Sequence, residues 1–214
     1  MRASFAQTGG TVRGFSGLGP ALACLLAVFL LSGCAGYKAQ LAVKAVAEPE
    51  ELGKKAPVSV RAKDARDNPV VCKNAGAMGM ASEVTLAPGV EDQLARAAAA
   101  LLSEKGFVPG PDDPQTARKV EVSLTRLVCV NAFGGNETVA KAEAELLVTV
   151  DNNGHADERR YAGETVWRLD GENMEPDYDR LFSQTISKTL ARLGADYDFL
   201  NELASVKLRS KDLQ

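Results

Sequence analysis

Residues Lys141 to Val150 alternate strictly between two environments. Ala142, Ala144, Leu146, Val148 and Val150 fall on one face, and Lys141, Glu143, Glu145, Leu147 and Thr149 on the other. Successive side chains of a strand point to opposite faces, so this period of two describes a half-buried strand and not a helix. Asn152-Asn153-Gly154 follows. An Asn-Gly pair suits a two-residue hairpin turn, whose central residues take positive φ. Tyr161, Gly163, Thr165, Trp167 and Leu169 then recur at every second position and read as the return strand. A hairpin with one apolar face must bury that face against another layer, and this requirement sets the fold class.

The covering layer is legible as helices. Val90, Leu94, Ala97, Ala98, Leu101 and Leu102 form one stripe at helical spacing, which Gly106 ends. Tyr178, Leu181, Phe182, Thr185, Ile186, Thr189, Leu190 and Leu193 form a second stripe, with Gly194 at the position that follows a helix. A short helix carrying Phe199, Leu200 and Leu203 follows, capped by Asp196. Upstream, Tyr37–Val46 alternates, as do Val58, Val60 and Ala62, and 119–130 reads as a further strand. Residues 70–88 are left open apart from a short strand at Glu83–Leu86. The expected order is β-β-α-β-β-β-α. It describes one α+β domain over 39–206, with a mainly antiparallel sheet of about five strands, two main helices on one face, and a tail over 207–214.

The first 33 residues read as an address and not as part of this fold. Arg2 and Arg13 are the only charges there, and Pro20 to Leu31 is almost wholly apolar. A basic segment followed by about 7–15 apolar residues is the pattern of an export signal, and the run falls short of the roughly 20 needed to span a bilayer. Leu31-Ser32-Gly33-Cys34 closes it and is similar to the lipobox of bacterial lipoproteins. That resemblance implies cleavage between Gly33 and Cys34, a diacylglyceryl group on the Cys34 thiol, and residues 34–38 as anchor and tether. A plain secretory signal, or an apolar helix with a chance Cys, are the alternatives. Ala35 is not Asp, which by resemblance to the enterobacterial sorting rule points to the outer membrane.

Cleavage would leave 181 residues with 23 basic against 28 acidic side chains. This mildly acidic balance argues against nucleic acid as a partner, since that needs a basic patch. Four Cys are present. With Cys24 in the signal and Cys34 lipidated, Cys72 and Cys129 remain as a pair in an oxidising compartment, which predicts a disulfide. Two buried free thiols are the alternative.

No signature of catalysis stands out. The one His, His155, sits beside the hairpin turn. No zinc-type spacing, Walker motif or dinucleotide fingerprint occurs. Asp151 to Glu158 imitates a calcium loop, but its Gly and Glu are misplaced for one. The acids Asp170, Glu172, Glu175, Asp177 and Asp179 precede a helix, where they favour its dipole. We therefore expect no metal, no cofactor and no catalytic residue. A carboxylate-pair hydrolase remains an option, although no pair is singled out. Asp64 and Arg66 leave a strand end together, and they are candidates either for a contact with a partner or for a local ion pair.

These pieces together resemble the YajG family of uncharacterised bacterial lipoproteins. The matching elements are the lipobox, the Leu41–Val46 strand, Val58-Ser59-Val60 running into Asp64-Ala65-Arg66, the helix ending at Gly106-Phe107, and the C-terminal helix with Asp196 and Leu203. Cys72, Cys129 and Met78-Gly79-Met80 depart from the family pattern. The resemblance implies a fold like that of auxiliary lipoproteins of envelope transport. The anchor, the lack of catalytic signatures and the compact domain lead us to expect a non-catalytic, lipid-anchored component facing the periplasm, with an envelope protein as partner. The alternative is a module that binds lipid or cell-wall fragments.

Overall fold

A computed structural model describes residues 36–44, 47–75, 81–111, 113, 115–134, 137–169 and 174–205. The export signal, Gly33, Cys34, the Met-Gly-Met stretch and the tail over 207–214 lie outside the described residues. Strands are β1 (Tyr37–Ala39), β2 (Pro57–Asp64), β3 (Val70–Ala75), β4 (Ala81–Leu86), β5 (Val108–Gly110), β6 (Arg118–Gly134), β7 (Glu137–Asn152) and β8 (His155–Leu169). Helices are α1 (Val90–Glu104), α2 (Met174–Gly194) and α3 (Tyr197–Ala204).

Two mixed sheets form, in place of one mainly antiparallel sheet. The larger has the order β5-β2-β6-β7-β8, and the smaller β1-β4-β3. The β6–β7–β8 meander is antiparallel throughout, whereas β2 runs parallel to both β5 and β6, and β1 parallel to β4. A parallel neighbour needs a crossover connection, and α1 lies within the one between β2 and β5. Asn153 and Gly154 take φ 57° and 87°, so the Asn-Gly turn joins β7 to β8 as a two-residue hairpin.

Among the described residues, α1 packs against β2 and β5, and α2 against β7 and β8. The expected stripe of α1 is its buried side, from Val90 to Leu102. That of α2 is buried likewise, with Tyr178, Phe182, Ile186 and Leu190 at most 1% exposed. Burying each such apolar side chain contributes about 1.5–3 kcal/mol. Beneath α2, the sheet offers a floor of small residues, Ala140, Ala142, Ala144 and Gly163. A Cβ on Gly163 would clash with Thr189 Oγ1 and lie 3.3 Å from Thr189 Cα, so glycine sets how closely α2 approaches. The buried hydroxyls of Thr185 and Thr189 donate to the carbonyls of Leu181 and Thr185, at 2.7 and 2.8 Å.

Gly194 differs from its expected role. It is the last helical residue, and a Cβ there would lie 3.2 Å from the Leu101 side chain and 3.4 Å from Ala47, so limited space explains it and left-handed backbone does not. Gly106 does take positive φ, 83°, just past α1. Cys72 of β3 and Cys129 of β6 form a disulfide with Cα atoms 4.9 Å apart, which ties the small sheet to the large one. Strand β6 carries a bulge between Leu124 and Arg126. It lies where β2, whose register ends at Asp64 opposite Leu124, leaves the sheet.

Candidate functional site

The chain enters the described domain at Gly36 and is bound at once to α2. After β1 it does not continue as the expected strand. Residues 40–44 instead run along the helix as an extended strap. The amide N–H of Gln40 donates to Asp179 Oδ1 at 2.7 Å, that of Ala42 to Ser183 Oγ at 2.9 Å, and that of Lys44 to Ser187 Oγ at 2.9 Å. Two residues of extended chain advance about 6.6 Å, and four residues of helix advance about 6 Å. The two periods nearly match, so every second strap amide meets every fourth helix residue. The Tyr37 hydroxyl adds a bond to the same Asp179 oxygen at 2.8 Å. Burial, and then this carboxylate, hold the Tyr37 hydroxyl well above the ordinary tyrosine range.

A groove of about 590 Å³ adjoins the strap. Its walls include Gln40, Leu41, Ala42, Trp167, Arg180 and Gln184. Trp167 is half-buried near the end of β8, and Arg180 and Gln184 are exposed on α2. The groove therefore combines an aromatic face, aliphatic surface and a few polar tips. Ligand clefts commonly combine apolar walls with a few polar groups in this way. Sequence reasoning missed this arrangement. Its one signal was the row Asp179, Ser183 and Ser187, small polar residues four apart on a helix otherwise read for its apolar stripe.

Asp64 and Arg66 are brought together, but by each other. Arg66 Nε and Nη2 donate to the two Asp64 oxygens at 2.8 and 2.7 Å, a bidentate pair. The Arg66 side chain is only 7% exposed. Its Nη1 is buried without a hydrogen-bond partner, an arrangement that costs about 1–3 kcal/mol when no acceptor compensates. A 320 Å³ hollow beside it is lined by Asn68, Val70, Thr125 and Val128 among others.

Other polar contacts fasten elements together. The Tyr161 hydroxyl donates to Asp196 Oδ2 at 2.9 Å, while Asp196 Oδ1 caps α3 by accepting from the Phe199 amide at 3.0 Å. Lys105, 3% exposed, meets Glu50 at 2.6 Å. His155 opens β8 and is exposed. Among the described residues, no group of three or more His, Cys, Asp or Glu is placed to hold a metal ion, and no helix is long and apolar enough to cross a membrane.

Residues 44–203 match a family of uncharacterised lipoproteins, the YajG type, and the chain belongs to that family. No curated protein matches it significantly. Solved structures give distant likenesses. A protein from Xanthomonas campestris shares 11% identity at a TM-score of 0.47, over 78% of this chain and 96% of that one. A minor lipoprotein from Acinetobacter baumannii shares 9% identity at a TM-score of 0.41, over 67% and 90%. Likenesses this remote say nothing of activity.

Proposed function

We propose that the protein is a cell-envelope lipoprotein, acylated on Cys34 after cleavage at Gly33-Cys34, and that it acts as a non-catalytic binding component of an envelope assembly. Outer-membrane residence facing the periplasm completes the reading. The observation that supports it best is the strap. The domain's first described residue lies two positions after Cys34, and the chain is hydrogen-bonded to β4 and α2 from there on. Little free tether separates such an anchor from the fold, so the domain and its groove are held close to the bilayer. Stable anchoring takes about two lipid signals, and a multiply acylated Cys meets that need without a spanning segment.

The groove beside Trp167 favours a partner segment with an apolar anchor. It equally suits an acyl chain or a sugar ring, and this second reading, a lipid- or cell-wall-fragment-binding module, rests on the same aromatic wall. A single experiment addresses both. Cells producing the wild type and Cys34→Ser are labelled with radioactive palmitate and fractionated, with a photo-crosslinking side chain placed at Gln184. We expect label, and a chain shortened by the signal, in the wild type only, together with a crosslink to an envelope protein. Palmitate label on Cys34→Ser, or an unlabelled wild type, would refute the anchor. Crosslinks confined to lipid or glycan would refute the accessory role in favour of the binding module.

A further inference from the structure

We propose that β8 is the seat of a second copy of this chain, added edge to edge and antiparallel about a two-fold axis through Ala162. Among the described residues β8 is an open edge of the large sheet, and that edge, independent of the groove, carries the inference.

β8 is the last strand of the five-stranded sheet and pairs with β7 from His155 to Leu169 without a bulge. A long, regular edge of this kind is a template for another strand unless it is blocked. No proline or glycine-driven kink interrupts it, and Gly163 keeps its register with Ala144. The two-residue turn makes Asn152 and His155 a hydrogen-bonded pair. Alternation then directs the backbone groups of the odd residues of β8 at β7, and those of the even residues at the open side. The even residues from Ala156 to Arg168 are all exposed, whereas their neighbours Lys141 to Thr149 on the same face of β7 are half-buried.

Charges along an edge usually guard it, but their order here selects a partner. About Ala162, Arg160 faces Glu164 of the second copy, and Glu164 faces Arg160, so two opposite-charge pairs flank the axis. Moving the axis to Tyr161 sets Glu158 against Glu164. Moving it to Arg160 or Glu164 sets like charges against themselves. An axis at Gly163 pairs Arg168 with Glu158, but only at the ends of the ladder, where strands fray. Directly opposed pairs are the unit of sheet stability, and like charges there are unfavourable. Both residues already have partners within the chain, Arg160 with Glu145 at 3.2 Å and Glu164 with Lys141 at 2.8 Å. The paired sheets would run as one across the axis, with the Arg160 and Glu164 of both copies joined to the Glu145 and Lys141 of both.

The test uses the full-length protein in cells and in detergent. Hydrogen-bonded antiparallel partners have Cα atoms about 5.5 Å apart, inside the roughly 4.4–6.8 Å that a disulfide spans. Exposed Ala162→Cys should therefore give a reducible dimer on non-reducing gels, while Glu158→Cys and Val166→Cys should not. In detergent, Arg160→Glu should weaken dimerisation by about tenfold or more. The double variant Arg160→Glu, Glu164→Arg should restore it, even though it worsens both pairings within the chain. A monomer with no Ala162→Cys crosslink overturns the proposal. So does a crosslink at Val166→Cys in place of Ala162→Cys, or an Ala162→Cys adduct to a different protein. Failure of the double variant to recover, with its thermal unfolding still cooperative, also overturns it.

Discussion

Replacing both Cys72 and Cys129 by Ala removes the disulfide between the two sheets. The link joins residues 57 apart in sequence. In the chain-entropy account, closing a loop of this size takes about 14 cal/mol/K from the unfolded ensemble, or roughly 4 kcal/mol at 25 °C. Cys72 is buried, so its lost sulfur contacts add a fraction to this cost. For a domain of this size, about 4 kcal/mol corresponds to a drop in Tm of roughly 8–16 °C. Urea unfolding of the acylated protein in detergent, followed by tryptophan fluorescence at Trp167 and by far-UV circular dichroism, measures it. The two signals should move together, because Trp167 reports on the large sheet and the dichroism on both. A loss under about 1 kcal/mol would refute the reasoning, since it would mean that the unfolded chain already holds the two segments together. A fall in the dichroism alone, with Trp167 unmoved, would show that the small sheet opens by itself and that the disulfide does not stabilise the large one.

Two further predictions concern packing and charge. Gly163→Ala should destabilise by about 1–3 kcal/mol through overpacking against α2. Thr189→Ala in the same chain should recover part of that loss, and the test is whether the double-mutant cycle gives a non-zero coupling. Glu121 is held below the ordinary carboxylate range, first by its bond to Lys63 and also by Arg61. A depressed carboxylate stabilises above its unfolded pKa and loses that contribution as pH falls through the folded value. Glu121→Gln should therefore cost under about 1 kcal/mol at neutral pH, given two exposed partners, and this difference should vanish in acid when unfolding is followed against pH.

What the sequence revealed and what it hid divide along physical lines. The helix stripes and the β7–β8 hairpin were legible residue by residue, because burial on one side imposes a period. Direction was not legible. Alternation is the same whether a strand runs parallel or antiparallel, so β2 was legible as a strand but its parallel direction was not. β5 has three residues, too few to show any period. Residues 40–44 alternate as a strand does, and their backbone is extended. Their bonds, however, go to side chains of a helix 139–143 residues away, which no local pattern encodes. Asp64 and Arg66 were visible as a pair, but the burial of Arg66 was not, because exposed and buried arginines look alike in a sequence.

That same distance along the chain has a consequence in time. In the exported lipoprotein proposed here, the strap emerges among the first mature residues and its seat on α2 among the last. Between those moments Asp179, Ser183 and Ser187 do not yet exist as a row, and nothing on the helix competes for the chain beside Cys34. On that reading, any enzyme acting at Cys34 meets the chain before residues 40–44 have a seat. Only after α2 has formed and docked does the strap close.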